Sequence, residues 1–229
     1  MKLRSTFVLV ALLAAPAVAS AQWSDNFDSY ANGTVMDNVG GWAGWDNTPS
    51  AAGVISNAVS VSSPNSMSIP AAADAVYAFS GVDSGVWTIS AQQFIPRDFS
   101  GSTYFILLNT YAVGGPNDWS SQLIFNSTTG TVTDDNRPGS TVQFVRDAWA
   151  EIRVEIDLDA DTMSAFYNNQ LVSSGTWTTG ATSATSIGAI DLFGNNASTV
   201  FYDDISLIPT PGAAGLLGLA GLAAMRRRR

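Results

Sequence analysis

Between residues 149 and 158 the chain alternates between two kinds of side chain. Ala150, Ile152, Val154, Ile156 and Leu158 are apolar; Trp149, Glu151, Arg153, Glu155 and Asp157 fall between them. A period of two is the repeat of an extended strand, whose successive side chains point to opposite faces. This segment therefore reads as a β-strand with one buried face and one charged face toward water. Residues 163–167 read as its partner. Asn168-Asn169 fits the tight turn that follows, because Asn tolerates positive φ, and Leu171-Val172 opens the return strand.

Strand signals recur about every ten residues along the rest of the body, separated by Gly, Asn, Asp, Ser and Pro. Residues 86–94 form one run, stopped by Pro96. Residues 103–108 are apolar enough for burial on both faces. Residues 122–125 and 142–145 bracket a polar turn around Asp134 to Gly139, and residues 187–193 and 200–208 close the series. Helical signals are scarce and no internal repeat is evident. Many short antiparallel strands in one chain point to an all-β, two-sheet antiparallel β-sandwich of jelly-roll type.

Composition removes several chemistries. The chain has no Cys and no His. Core packing must hold the body together without disulfides. A Ser-His-Asp triad, a Cys-His pair and His-rich zinc sites are all excluded. Between the two ends, only Arg97, Arg137, Arg146 and Arg153 oppose 19 carboxylates, a net charge of −15. That balance argues against nucleic acid, whose phosphates require Lys and Arg. Seventeen of the acids are Asp and only Glu151 and Glu155 are Glu, a bias toward turns, loops and calcium ligation over helices.

Both ends carry sorting features. Residues 1–21 have a basic start at Lys2 and Arg4, an apolar run over 7–15, and Ala19-Ser20-Ala21, the small-x-small pattern of signal-peptidase cleavage before Gln22. This reads as a signal helix too short to span a bilayer. Residues 209–229 contain Pro209-Thr210-Pro211, an apolar run over 213–225, and Arg226, Arg227, Arg228 and Arg229. The run is short for a span, and the arginines would stay cytoplasmic. In its order of parts this end resembles the PEP-CTERM sorting signal of Gram-negative bacteria, with Thr210 where that signal has Glu. The resemblance implies a short hydrophobic helix, transient anchoring in the inner membrane, an exosortase-type processing enzyme, and delivery to the surface or extracellular matrix.

The body, residues 22–208, has its own resemblance. Trp149, Val154-Glu155-Ile156-Asp157 and Phe166-Tyr167-Asn168-Asn169-Gln170-Leu171-Val172 are similar to the hairpin of concanavalin-like, laminin-G-like jelly rolls. Asp25-Asn26-Phe27-Asp28 resembles their opening strand, and Phe201-Tyr202-Asp203-Asp204-Ile205-Ser206-Leu207 their closing strand. The resemblance implies pairing of the first and last strands, with Asp25, Asp28, Asp203 and Asp204 as candidate ligands of a structural calcium. A second cluster, Asp157, Asp159 and Asp161, has calcium-loop spacing but lacks the Gly and Glu of an EF-hand, and reads as an acidic turn.

Trp42 and Trp45 sit in a Gly-rich stretch and Trp119 in a loop, where indole faces could stack on sugars. Trp87 and Trp149 read as core. Glu155 and Asp159 echo the carboxylates of laminarinase-like glycoside hydrolases, but a strand's carboxylates are more often its solvated face. The sequence therefore points to an exported, non-catalytic surface or matrix protein, with polysaccharide as candidate partner and calcium as candidate cofactor. A secreted glycosidase using Glu155 and Asp159, and a purely structural matrix component, are the alternatives.

Overall fold

Fifteen strands occupy nearly half of residues 23–210, the part of the chain described by the structure, a computed structural model. They are β1 Trp23–Asp25, β2 Trp42–Gly44, β3 Val54–Ser56, β4 Ser66–Ile69, β5 Asp74–Ala78, β6 Val86–Phe94, β7 Ser102–Thr110 and β8 Asp118–Asn126. β9 Thr131–Asp134, β10 Val142–Gln143, β11 Trp149–Asp157, β12 Thr162–Tyr167, β13 Gln170–Thr176, β14 Ala189–Asn195 and β15 Val200–Pro209 complete the set. The expected signal helix, the C-terminal helix, Pro211 and Arg226 to Arg229 lie outside the described residues. Within them the only helical pieces are 3-10 turns at Trp45–Asn47 and Pro49–Ala51, and no helix is long and apolar enough to cross a membrane.

The strands form two antiparallel sheets, as expected. The first runs β13-β12-β11-β6-β15-β4-β3, with β1 also paired to β15; the second runs β10-β9-β8-β7-β14-β5-β2. The period-two alternation over residues 149–158 sets the two faces of β11 in the first sheet. Ile152, Val154 and Ile156 face inward and are fully buried, while Glu151, Arg153 and Glu155 face out. Asn168 and Asn169 turn the β12–β13 hairpin at φ 46° and 61°. β1 does pair with β15, setting Asp25 opposite Ile205.

The core fills the space between the sheets. Phe105, Leu107, Leu123 and Phe125 from the second sheet meet Ile89, Ile152, Val154, Tyr167 and Tyr202 from the first. Rings cross the interface, with Phe125 5.3 Å from Tyr167 and Phe105 6.3 Å from Tyr202. Polar side chains also join the layers. Buried Asp134 on β9 accepts from Ser173 Oγ on β13 at 2.6 Å and from Arg137 Nη1 at 2.9 Å. Trp87 packs against this core at one end. Trp149 does not: it lies on the outer face of the first sheet, 5.5 Å from Phe94, because it occupies the charged phase of the β11 alternation.

Candidate functional site

The outer face of the second sheet is unusual for a water-facing surface. Alternation on β7 turns Phe105 and Leu107 into the core and leaves Tyr104, Ile106 and Leu108 outside. On β14 it leaves Ala189, Asp191 and Phe193 outside, and on β5 it leaves Asp74 and Val76. Val76, Ile106, Leu108 and Ala189 are nonetheless buried, because Trp45, Tyr104, Tyr111 and Phe193 cover them. The result is a second apolar layer, separate from the core between the sheets.

An open groove of about 400 Å³ runs over this layer, lined by Trp45, Asp74, Ile106, Asn117, Trp119, Gln122, Asp191 and Phe193. Trp45 and Trp119 form its aromatic wall, nearly parallel at 17° with ring centroids 6.1 Å apart. Tyr111 braces Trp45 edge-on at 4.9 Å. Asp46, with φ 53°, accepts from the Gly114 N–H at 2.8 Å and ties the Trp45 turn to the loop before β8. The Trp119 carbonyl accepts from Thr179 Oγ1 at 2.7 Å and from Asn136 Nδ2. Gln122 is fixed by a 2.6 Å bond from its Nε2 to Asn136 Oδ1. The indoles are therefore held by their backbones while Trp119 remains 37 % exposed.

Asp74 and Asp191 lie at the floor of the groove, diagonal to one another on adjacent strands. Asp191 is only 2 % exposed. Burial, then the charge of Asp74 and a hydrogen bond to it, hold the Asp191 carboxyl well above the ordinary range. Asp74 is also raised, chiefly by burial; accepting from Asp191 opposes the shift and the charge of Asp46 adds to it. Both carboxyls of the pair are therefore pushed toward the protonated form, Asp191 the more strongly. Tyr111 is raised too, by burial first and then by the neighbouring Asp46, Asp191 and Asp74 charges against a hydrogen bond with Asp46.

The structure separates the three candidate sugar-stacking residues. Trp45 and Trp119 meet in the groove. Trp42 is a correction: it is fully buried among Phe27, Tyr77 and Trp23, and its Nε1 donates to Asp25 Oδ2 at 3.1 Å. Only two residues separate Trp42 from Trp45, but β2 ends at Gly44 and the chain turns there. A Cβ on Gly44 would meet the Thr48 carbonyl, so the turn requires glycine.

The four candidate calcium ligands do not converge. Asp25 Oδ1 accepts from the Phe27 N–H at 2.9 Å, and Oδ2 from Tyr30 Oη at 3.0 Å as well as from Trp42. Asp28 accepts from the Asn65 N–H at 3.1 Å and from Asn26 Nδ2 at 2.9 Å. Asp203 Oδ2 accepts from the Val61 N–H at 2.7 Å and the Ser62 N–H at 3.2 Å, and Oδ1 from Asp204 N–H at 2.8 Å. Asp204 Oδ1 accepts from Ser62 Oγ at 3.1 Å. These oxygens face N–H and O–H donors, whereas calcium requires six to eight oxygens turned toward one point. No group of three metal-capable side chains occurs among the described residues, so the four aspartates do not fit a single calcium site. Asp157, Asp159 and Asp161 cap turns instead, accepting from Ala160, Gly85 and Thr178 N–H groups.

Glu155 and Asp159 do not come together at a groove. Glu155 is on the outer face of the first sheet, paired with Arg153, while Asp159 lies in the β11–β12 turn. At the chain's far end, Thr210 N–H donates to the Val86 carbonyl at 2.7 Å and its hydroxyl meets Thr88 Oγ1 at 2.9 Å. Pro209 and Thr210 are therefore held against β6.

No family model matches the chain, and no curated protein matches it in sequence. In fold it is similar to a cellulose induced protein, Cip1, with a TM-score of 0.51 and 17 % identity over 82 % of this chain and 97 % of that one. It is similar to part of a protein named sialidase, with a TM-score of 0.58 and 8 % identity over 84 % of this chain but 19 % of that one. A Trypanosoma rangeli sialidase gives 0.51 and 16 % identity over 72 % of this chain and 28 % of that one. The chain spans less than a third of the length of either sialidase. At these identities the likeness shows the two-sheet sandwich fold.

Proposed function

We propose that this is an exported, non-catalytic surface or matrix protein that binds polysaccharide in the groove on its second sheet. The carrying observation is the Trp45–Trp119 wall over a floor with Asp74, Asp191, Asn117 and Gln122. Flat apolar rings beside a few fixed polar groups suit the alternating apolar faces and hydroxyl edges of a sugar chain. The names of the similar folds, a cellulose induced protein and sialidases, agree with a carbohydrate setting for a sandwich of concanavalin-like, jelly-roll type. The glycosidase reading on Glu155 and Asp159 draws no support from their separate placement. Signal peptidase and an exosortase-type enzyme are the proposed processing partners, with transient inner-membrane anchoring before release to the surface. Affinity electrophoresis through gels cast with single polysaccharides tests the binding. Wild type should be retarded by at least one, and Trp45→Ala and Trp119→Ala should each restore free mobility. Equal retardation of wild type and the double variant would remove the groove from the account.

A further inference from the structure

We propose that the groove selects an uncharged glycan, and that Asp74 and Asp191 are the residues that impose the selection. This rests on the groove being a sugar site and names the class of sugar it takes.

No cation of the described residues reaches the groove. The described residues contain four basic side chains, and each is engaged elsewhere. Arg97 pairs with Asp147 at 2.6 Å and Arg137 with Asp134 at 2.9 Å. Arg153 lies between Glu151 and Glu155 on the opposite sheet. Arg146 donates to the carbonyls of Arg97 and Phe99 at 3.0 and 3.2 Å, with its guanidinium 4.9 Å from the Phe144 ring. None lines the groove. A uronate or sialate carboxylate would enter beside two aspartates with no cation to meet it, and an unpaired buried charge is costly.

Asp191 is almost completely buried, and Asp191 Oδ1 and Asp74 Oδ1 have no donor from any other residue. Two adjacent carboxyls, one buried and one half-buried, cannot both ionise cheaply, so one proton is kept between them. Both residues line the groove, where a carboxyl oxygen is an acceptor for a hydroxyl hydrogen. A neutral sugar supplies these donors; an anionic group supplies repulsion. The other titratable groups facing the pair are Asp46, Tyr111 and, from the core side, Tyr202. All are acidic, so every ionisation in this neighbourhood adds negative charge.

The test compares hydroxyethyl cellulose with carboxymethyl cellulose, which share a backbone and differ in charge. Laminarin, galactomannan, polygalacturonate and polysialic acid extend the comparison. The wild-type protein should bind at least one neutral polymer at least tenfold more tightly than any anionic one at low salt. Asp74→Ala should lose at least tenfold in neutral-glycan affinity. Raising the pH should weaken wild-type binding as the shared proton is lost, and Asp191→Asn should flatten that dependence. Anionic polymers bound as tightly as neutral ones, or no neutral polymer bound, would overturn the proposal, and this comparison needs no variant to fold. Anionic binding that Trp45→Ala abolishes would leave the groove standing and remove only its selectivity. Binding untouched by Trp45→Ala and Trp119→Ala would remove the groove itself.

Discussion

Tyr30→Phe removes one hydroxyl and leaves the ring that packs at 6.5 Å from Phe27. The lost group is one of two side-chain donors to Asp25 Oδ2, the other being Trp42 Nε1. A hydrogen bond to a charged acceptor contributes about 1.5–3 kcal/mol, and the lower end applies because Asp25 and Tyr30 are only half-buried. For a domain of this size about 1 kcal/mol corresponds to roughly 2–4 °C, so the melting temperature should fall by about 3–6 °C. Trp42→Phe in a double-mutant cycle should show coupling with Tyr30→Phe of about 0.5 kcal/mol or more, since both donors share one oxygen. The melts should be run in EDTA and again in millimolar calcium. If Asp25 is a saturated acceptor, the loss is equal in both. A loss below about 1 °C, or one that calcium erases, would refute this reasoning and return Asp25 to the calcium candidates. The same bond fixes an optical check. Burial, then the Asp25 charge and hydrogen bond, push Tyr30 up to about 12. Its folded value exceeds its unfolded one, so its contribution is complete below about pH 10 and lost as pH rises through about 12.

Asp203 is raised to about 6, by burial first, against the Val61, Asp204 and Ser62 N–H groups that favour its charge. Its stabilising protonation is therefore complete below about pH 4 and lost as pH rises through about 6; urea midpoints of Asp203→Asn should lack that slope. Arg137→Ala leaves Asp134 buried without its cation, where Arg137 was 9 % exposed and Asp134 not at all. That should cost about 3–5 kcal/mol by urea denaturation, and a loss under about 1 kcal/mol would count against Asp134 as a tie between the sheets. Trp42→Ala should cost a similar 3–5 kcal/mol, whereas Trp119→Ala should cost no more than about 1 kcal/mol while abolishing glycan retention.

The sandwich was legible because burial on one face writes itself into alternation. Ile152, Val154 and Ile156 could be assigned to the core, and Asn168-Asn169 to a turn, from spacing and the chemistry of φ alone. Trp42 and Trp45 were not separable that way. They share a Gly-rich segment, and only the turn after Gly44 sends one ring into the core and the other to the groove. Asp25, Asp203 and Asp204 do lie on the paired strands β1 and β15, with Asp28 in the turn after β1, but a one-dimensional pattern does not show that N–H and O–H donors already occupy their oxygens. The Asp74–Asp191 pair was missed for a different reason. Asp191 is a single polar residue between Ile190 and Leu192, the ordinary signature of a solvated position. Its meaning depends on β14 pairing with β5, whose Asp74 is more than a hundred residues earlier.

The net charge also conceals how charge is arranged. A body at −15 suggests an evenly acidic surface. The fold instead places Glu151, Arg153 and Glu155 together on the outer face of the first sheet, where the charges offset one another. The outer face of the second sheet receives two carboxyls, several aromatic rings and no cation. A buried and a half-buried acid on adjacent strands cost stability at neutral pH, and one oxygen of each has no partner in the fold. Replacing them with apolar residues would continue the Val76–Ile106–Leu108–Ala189 layer without loss of packing. Their presence beneath the Trp45–Trp119 wall is thus better explained by what enters the groove than by the folding of the sandwich. This makes a joint expectation: Asp74→Ala combined with Asp191→Leu should raise the urea midpoint at pH 8 while weakening neutral-glycan binding at least tenfold. A variant that was both less stable and equally avid would show that the pair serves the fold.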